Sequence, residues 1–153
     1  MFFMRSGILL FAVLAVPAAQ AATKWVEAVG GGYWDYFRCI QRTADGGFII
    51  AGQAEPAFGN TEAFCVKTDG DGVISWKKTY GGSKFDIGFR VLQTADGGYI
   101  VAGTTDSFGA GSREAGVFRL DKNGKIKWQK TYGGSIYDTA YGITPTADGG
   151  YMI

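Results

Sequence analysis

The chain has 153 residues, with 15 basic and 14 acidic side chains and a net charge of +1, and it offers no basic stripe for a nucleic-acid partner. It contains no histidine, which excludes Ser-His-Asp and Cys-His nucleophiles and imidazole metal sites within this sequence. Its 25 glycines, 3 prolines and 15% aromatic residues are typical of an all-β protein rich in tight turns. We predict no cofactor and no metal site.

Residues 1–21 have the pattern of a secretory signal peptide. Arg5 precedes the apolar run GILLFAVLAVPA, and the small residues of AQA at Ala19–Ala21 suit cleavage after Ala21. This run is shorter than the roughly 20 residues that span a bilayer, although an uncleaved anchor is the alternative. The sequence therefore predicts a secreted protein, extracellular or periplasmic, with no membrane span after cleavage.

Three phrases recur in a fixed order along the rest of the chain. The first, Trp-x-x-x-x-Gly-Gly, begins at Trp25, Trp76 and Trp128, at intervals of 51 and 52 residues. The third reads TADGGFI, TADGGYI and TADGGYMI, with the same intervals between its threonines. Self-similarity at a fixed period indicates a repeat architecture. The second phrase, an aromatic residue followed by aspartate, occurs at Trp34-Asp35, Phe85-Asp86 and Tyr137-Asp138.

One period contains four predicted strands. In chain order they are YFRCIQRT, FIIAGQA, EAFCVKT and VISWKKTY. ADGG supplies a hairpin turn after the first strand, EPAFGNT a loop after the second, and DGDG a tight turn after the third. Four short antiparallel strands in about 50 residues are typical of a β-propeller blade, whereas the coils of the competing β-solenoid are usually shorter.

These phrases together resemble the secreted bacterial and archaeal β-propeller proteins with kelch-like repeats of about 51 residues. The resemblance covers Lys24 to Ile153 and rests on Gly-Gly-Ser-x-x-Asp, Thr-x-Asp-Gly-Gly-Tyr-Ile-x-Ala-Gly and Trp-Gln-Lys-Thr-Tyr-Gly-Gly. It implies a propeller fold and an extracellular repeat module. It implies no particular activity or cofactor.

The repeat divides the chain into a signal peptide at 1–21, an outer strand at 22–34, a blade at 35–80, a blade at 86–132 and the start of another at 138–153. The strand at 22–34 would complete a neighbouring blade and so close a ring. Propellers close with roughly four to eight blades. The sequence therefore predicts an open arc of about two full blades from a C-terminally truncated fragment.

Binding residues are predicted on the face formed by the GGS-x-x-D and SFGAGSRE links, which we call the link face, because loops on a rigid scaffold usually carry binding. The aromatic residues of the second phrase, which we call the aromatic series, could stack against a sugar or a partner protein, or they could pack between neighbouring blades. Phe58 and Phe108 are expected to pin the long loops, and Arg113 to form a solvated pair with Glu114. The candidate binding residues are Trp34, Phe58, Phe85, Phe108, Arg113 and Tyr137.

The remaining repeat positions are interpreted as structural, and no catalytic residue is predicted. A carboxylate just before a strand can accept backbone N–H bonds, which favours a linking role over catalysis. DGDG and DKNG are too short for calcium loops and fit hairpin turns. The stretch from Asp121 to Trp128 also resembles the blade-docking motif of quinoproteins, which packs blades without holding the cofactor. The structural positions are Asp35, Asp86, Asp138, Trp25, Trp76 and Trp128.

The two cysteines are predicted to be free thiols. Cys39 falls in a first strand and Cys65 in a third, so one strand separates them. Strands lie about 4.8 Å apart, which places the two Cα atoms roughly 9–10 Å apart and beyond disulfide reach.

The sequence favours a non-enzymatic extracellular scaffold that binds a protein or a carbohydrate at the cell surface through the link face. One alternative is a fragment of a propeller enzyme, of glycosidase or quinoprotein type, whose active site lies on further blades. Another is a self-associating cell-surface module whose arcs complete one another.

Overall fold

The computed structural model describes residues 33–110 and 112–153, and these residues form β-structure with no helix. The predicted signal peptide, Trp25 and most of the predicted strand at 22–34 lie outside the described residues. In the described part, no helix is long and apolar enough to cross a membrane. The strands are β1 Tyr36–Arg42, β2 Phe48–Ala57, β3 Asn60–Thr68, β4 Ile74–Tyr80, β5 Asp86–Gln93, β6 Tyr99–Thr105, β7 Glu114–Leu120, β8 Ile126–Tyr132, β9 Thr144–Pro145 and β10 Tyr151–Met152.

Two four-stranded antiparallel sheets follow one another along the chain, with the strand orders β1-β2-β3-β4 and β5-β6-β7-β8. We call them blade 1 and blade 2. A two-stranded sheet of β9 and β10 follows, and the sheets do not close on themselves. The predicted fold class, an open arc of propeller blades with four strands per repeat, is confirmed.

The hairpin turns form where the Asp-Gly pairs predict them. Gly46, Gly97 and Gly149 occupy the same position of the three TADGG turns, with φ of +85°, +79° and +83°. Only glycine adopts this left-handed region without strain, so the pattern recurs with the repeat. A basic side chain from the third strand lies under two of these turns: Lys67 contacts Asp45 at 2.8 Å, and Arg119 contacts Asp96.

The main apolar core lies between the two blades. Alternate residues of β2 and β3 in blade 1 face alternate residues of β5, β6 and β7 in blade 2, because side chains of a strand point to opposite faces in turn. Burying these faces against each other is the principal stabilising contact of the arc. The buried residues are Ile49, Ala51, Ala63, Cys65 and Tyr80 from blade 1 and Val91, Tyr99, Val101 and Leu120 from blade 2.

Both cysteines lie on the side of blade 1 that faces this core. Cys39 and Cys65 each pair with Ala51, one from either side, so β2 separates them as the sequence analysis expected. Both thiols are free. Burial raises the pKa of Cys65, which keeps its sulfur in the neutral, unreactive form.

The outer strand of blade 1 docks onto a turn of blade 2. Trp76 Nε1 donates to the carbonyl oxygen of Lys122 at 3.1 Å, and Lys78 Nζ donates to that of Asn123 at 2.8 Å. The hydroxyl of Tyr80 donates to the next carbonyl in the turn. Alternate residues of one strand thus meet successive carbonyls of one Asp-x-x-Gly turn, and this contact explains why Trp76 recurs with the repeat.

The outer strand of blade 2 carries the same three residue types without such a turn in the described structure. Trp128 and Tyr132 are 39% and 49% exposed, and the Nζ of Lys130 lies 5.7 Å from the centre of the Trp128 ring. The inner half of this side of blade 2 is covered by residues 140–151. There Ala140, Ile143 and Tyr151 pack against Ile100, Ala102 and Val117.

One predicted loop is wrong. The stretch EPAFGNT is expected to be a loop, yet β2 continues to Ala57 and β3 begins at Asn60, which leaves a turn of only Phe58 and Gly59. Pro56 cannot donate to the ladder, and the pairing shifts register between Ala54 and Ala57. The strands therefore extend past the proline through an irregularity in the pairing.

Candidate functional site

The link face carries four exposed aromatic residues at the edge of blade 1, which we call the aromatic patch: Tyr33, Trp34, Tyr36 and Phe58. Trp34 is 53% exposed, and its ring stacks on that of Tyr36 at a centroid distance of 6.4 Å and an interplanar angle of 12°. The ring of Tyr33 lies 6.4 Å from that of Phe58. Adjacent exposed rings of this kind offer apolar area at low entropy cost.

Phe58 lies at the tip of the β2–β3 hairpin and is 86% exposed. The expectation that it pins a loop to the blade is therefore wrong, because the short turn leaves its ring no blade surface to cover. Gly59 takes the φ of +79° that lets the chain reverse within two residues. An isolated exposed leucine or phenylalanine is ordinary, but this ring belongs to a contiguous group.

Arg113 has a different role from the solvated pair expected with Glu114. Its guanidinium forms two hydrogen bonds with the carboxylate of Asp106, at 2.9 and 3.1 Å. Its Cζ lies 4.6 Å from the ring centre of Phe85 and 5.5 Å from that of Tyr137. The bond to Asp106 raises the pKa of Arg113 and keeps the cation over both rings.

The three members of the aromatic series have different surroundings in the structure. Arg113 joins Phe85, which precedes blade 2, to Tyr137, which precedes the next repeat. The contact with Arg113 therefore favours packing between repeats for the half-buried Phe85, whereas Tyr137 stays 80% exposed despite its contact with the same cation. Thr61 precedes Glu62 in blade 1, where Arg113 precedes Glu114 in blade 2, so blade 1 has no corresponding cation. Trp34 stacks on Tyr36 instead and remains available at the surface.

Phe108 packs closer to the blade than Phe58 does. A Cβ atom placed on Gly82 would lie 3.9 Å from Phe108 Cζ, so the ring covers the link between β4 and β5. The hydroxyl of the neighbouring Ser107 accepts hydrogen bonds from the backbone N–H groups of Gly82 and Lys84, at 3.1 and 3.2 Å. The side chains of this loop thus hold the link in place.

The aspartates of the second phrase bind backbone and hydroxyl groups of the links. Asp86 is buried, and its carboxylate accepts hydrogen bonds from the hydroxyls of Thr105 and Ser107 and from the N–H of Gly82. Asp138 accepts from the N–H of Gly134 at 2.8 Å. These contacts agree with the linking role expected from the sequence. Asp35 is half-buried at the edge of the aromatic patch.

Inner-strand residues form a second contact series that sequence reasoning missed. Arg38, Phe89 and Tyr141 are spaced by the repeat intervals, and each contacts the next in space. Arg38 Cζ lies 5.6 Å from the Phe89 ring centre, and the centres of the Phe89 and Tyr141 rings are 4.9 Å apart. Their 51- and 52-residue spacing was the available signal. Tyr33 and Tyr36 were also missed, because neither belongs to a recurring phrase.

Within residues 33–110 and 112–153, no group of three or more histidine, cysteine, aspartate or glutamate side chains could hold a metal ion. Neither the protein-family models nor the curated proteins compared with this chain match it. The site is therefore interpreted from its own geometry: exposed rings on blade 1, and hydrogen-bonded carboxylates that hold the links.

Proposed function

We propose that this chain is a non-enzymatic extracellular scaffold that binds a carbohydrate or a protein through the aromatic patch of its link face. The proposal includes export after cleavage of the signal peptide. It also includes membership of the secreted bacterial and archaeal propeller family, whose repeats the repeats of this sequence resemble. Ligand recognition falls to blade 1, because four exposed rings lie there in two adjacent pairs, whereas the corresponding ring of blade 2, Phe85, is half-buried beneath Arg113.

The observation that carries this function is the exposure of Trp34 and Phe58 beside two tyrosines. Flat apolar rings bind the apolar faces of pyranose sugars, and tyrosine hydroxyls supply hydrogen bonds at the margin. The same rings suit a protein partner, since tyrosine and tryptophan dominate the energetic centres of interfaces. Tyr36 belongs to β1 and Phe58 lies in the two-residue turn between β2 and β3, so both are attached to the blade 1 sheet.

The first experiment measures binding of the labelled protein to an array of cell-envelope polysaccharides and to surface proteins from the same envelope. The test variants are Trp34→Ala and Phe58→Ser. The matched control is Trp128→Ala, which removes an exposed tryptophan from the outer strand of blade 2, away from the patch. We expect each test variant to weaken binding at least about tenfold, and the control to bind like the unchanged protein.

Equal losses in all three variants would show non-specific adhesion of exposed rings and would overturn the proposal. Hydrolysis of an array glycan, abolished by a carboxylate substitution, would favour the glycosidase alternative. Concentration-dependent association of the protein without any ligand, lost in Phe58→Ser, would favour the self-associating module.

A further inference from the structure

Two β-bulges at equivalent places in the two blades bring Arg38 and Phe89 together. The pairing of β1 with β2 shifts register across Arg38, and the pairing of β5 with β6 shifts across Phe89. Each is therefore the extra residue of a bulge, which redirects a side chain. Beside the bulges, a Cβ atom on Gly52 or Gly103 would collide with a backbone carbonyl oxygen of the inner strand. The recurring Ala-Gly pair of β2 and β6 thus accommodates the bulge.

The bulged side chains belong to a continuous row of four rings and one cation, which we call the inner row: Trp34, Tyr36, Arg38, Phe89 and Tyr141. The rings of Trp34 and Tyr36 stack at 6.4 Å. Arg38 Cζ lies 5.6 Å from the ring centres of both Tyr36 and Phe89, and the Phe89 and Tyr141 ring centres are 4.9 Å apart. Phe89 is half-buried and the other members are exposed. The row therefore crosses three repeats without a break.

Arg38 is the exceptional member of the inner row, because the next two repeats have an aromatic residue in its place. Its Nη2 donates a 2.9 Å hydrogen bond to Oε1 of the buried Gln53, which holds the guanidinium between the two rings. Arg113 and Arg119 each contact an aspartate, whereas no carboxylate of the described residues forms an ion pair with Arg38. Arg38 therefore retains N–H donors for a ligand.

The inner strands around the row are basic. Strands β1 and β5 carry three exposed arginines, Arg38, Arg42 and Arg90. The carboxylate of these two strands, that of Asp86, is buried and bound to groups of the links. An arginine without an acidic partner attracts anions, and its planar fork matches a carboxylate with two parallel hydrogen bonds. The ligand group that fits Arg38 is therefore a carboxylate.

The rings on either side of Arg38 favour a sugar as the bearer of that carboxylate. Flat rings stack on the apolar faces of pyranoses, and the steps of 4.9–6.4 Å along the row are comparable with the length of one sugar residue. Strands β1 and β5 are edge strands, to which a peptide could add by strand pairing. The bulge in each strand interrupts that edge, because the extra residue is left unpaired. A polysaccharide therefore suits the row better than a peptide strand does.

We propose that the inner row binds a linear polysaccharide that contains hexuronate residues. Arg38 holds a carboxylate of the chain, and the flanking rings stack on the adjoining sugars. Gln53 is a positioning residue, since it orients the guanidinium without reaching the ligand. This inference rests on the proposed function, because Trp34 and Tyr36 also belong to the aromatic patch. It adds the charge of the ligand and extends the contact surface to blade 2 and the repeat that follows.

The test measures the affinity of the full chain for an oligogalacturonate and for its methyl ester by isothermal titration calorimetry. The two probes have the same sugar rings and differ in the charge of their carboxyl groups. We expect the acid to bind at least about tenfold more tightly than the ester. Arg38→Gln should remove this preference. Arg42→Gln is the matched control, because it removes the same charge from an exposed arginine of the same strand, outside the row, and should keep the preference.

A second variant tests the length of the row. Tyr141 is exposed at the end opposite Trp34, so Tyr141→Ser should weaken binding of a long oligogalacturonate severalfold and leave binding of digalacturonate unchanged. Tyr132→Ser is its control, because it removes an exposed tyrosine from the outer strand of blade 2. Equal effects of the two tyrosine substitutions, or equal losses for the long and the short probe, would overturn the extension of the row to Tyr141.

Equal affinity for the acid and the ester, or equal losses in Arg38→Gln and Arg42→Gln, would overturn the inference. Binding of polyglutamate that matches the oligogalacturonate and depends on Arg38 would overturn the choice of a polysaccharide. Phe58 belongs to the aromatic patch but not to the inner row, so it separates the two proposals. A neutral glycan or a protein bound through Phe58 and not through Arg38 would retain the proposed function and refute the inner row. Loss of oligogalacturonate binding in Arg38→Gln, with full binding in Phe58→Ser, would support the row and remove the hairpin from the site.

Discussion

The hydroxyl of Tyr80 donates a 2.7 Å hydrogen bond to the carbonyl oxygen of Gly124, across the boundary between two blades. Burial raises the pKa of Tyr80, which keeps the hydroxyl protonated and able to donate. The Tyr80 ring also lies 5.0 Å from that of Phe118 in the blade 2 sheet. One side chain thus joins the apolar core to the docked turn, and the contact between blades is polar as well as apolar.

Removing this hydroxyl should weaken the arc. We expect Tyr80→Phe to lower the free energy of unfolding by about 1–2 kcal/mol, because the carbonyl of Gly124 loses its donor in a buried place. Urea-induced unfolding measures the change. Tyr132→Phe changes the same residue type at the next repeat, where the side chain is exposed, and should have an effect below about 0.5 kcal/mol. Equal effects would contradict the docking role.

Gly124→Ala should disrupt docking of β4 sterically. Its new Cβ would lie 3.0 Å from both Trp76 Cζ3 and the hydroxyl oxygen of Tyr80, in addition to the strain of φ +75°. Gly97→Ala has nearly the same φ, +79°, with nothing within 4 Å, so it measures the strain alone. We expect about 1 kcal/mol of destabilisation for Gly97→Ala and at least about 1 kcal/mol more for Gly124→Ala. Thermal unfolding of both variants gives the comparison.

Asp86→Ala should be among the more damaging substitutions in the chain. It leaves two hydroxyls and one backbone N–H without their shared acceptor in a buried link, and we expect a loss of about 2–4 kcal/mol. Asp138→Ala removes one backbone hydrogen bond from a half-buried residue and should cost about 1 kcal/mol or less. If chemical denaturation ranks the two variants in the opposite order, the buried network is not the source of the stability.

Stability should fall in acid because of the TADGG turns. The hydrogen bond from Lys67, followed by that from Thr43, lowers the pKa of Asp45 from 3.8 to about 2. A carboxyl group whose pKa is lower in the folded chain contributes stability above its unfolded pKa and loses it as pH falls towards the folded pKa. We therefore expect this contribution to disappear between about pH 4 and pH 2.

Asp45→Asn supplies the check on that acid dependence. The variant should be less stable near neutral pH and should show a flatter fall in unfolding free energy between about pH 4 and pH 2. Because Asp45 is largely exposed, about 0.5 M salt should reduce the difference between the two proteins. A slope identical to that of the unchanged protein would exclude the Asp45–Lys67 pair as a source of acid sensitivity.

Local features of the sequence were sufficient to predict the architecture. Asp-Gly turns and alternating apolar residues act over a few neighbouring positions, so four strands per period and their antiparallel order followed from them. The carboxylate of Asp86 was likewise interpreted as a linking group from its place at the start of a predicted strand. Pro56 misled the prediction, because a proline ends a central strand but is tolerated at an irregularity near a hairpin tip.

The sequence by itself determined the repeat, the turns and the strand order, since these depend on residues close together in the chain. Only the tertiary structure decided what each recurring residue contacts. Trp76 reaches a carbonyl oxygen 46 residues away, and Arg113 lies over rings that belong to two different repeats. Trp34 and Phe85 occupy the same place in the repeat, yet one ring is exposed and the other lies under a cation, because blade 2 has Arg113 where blade 1 has Thr61.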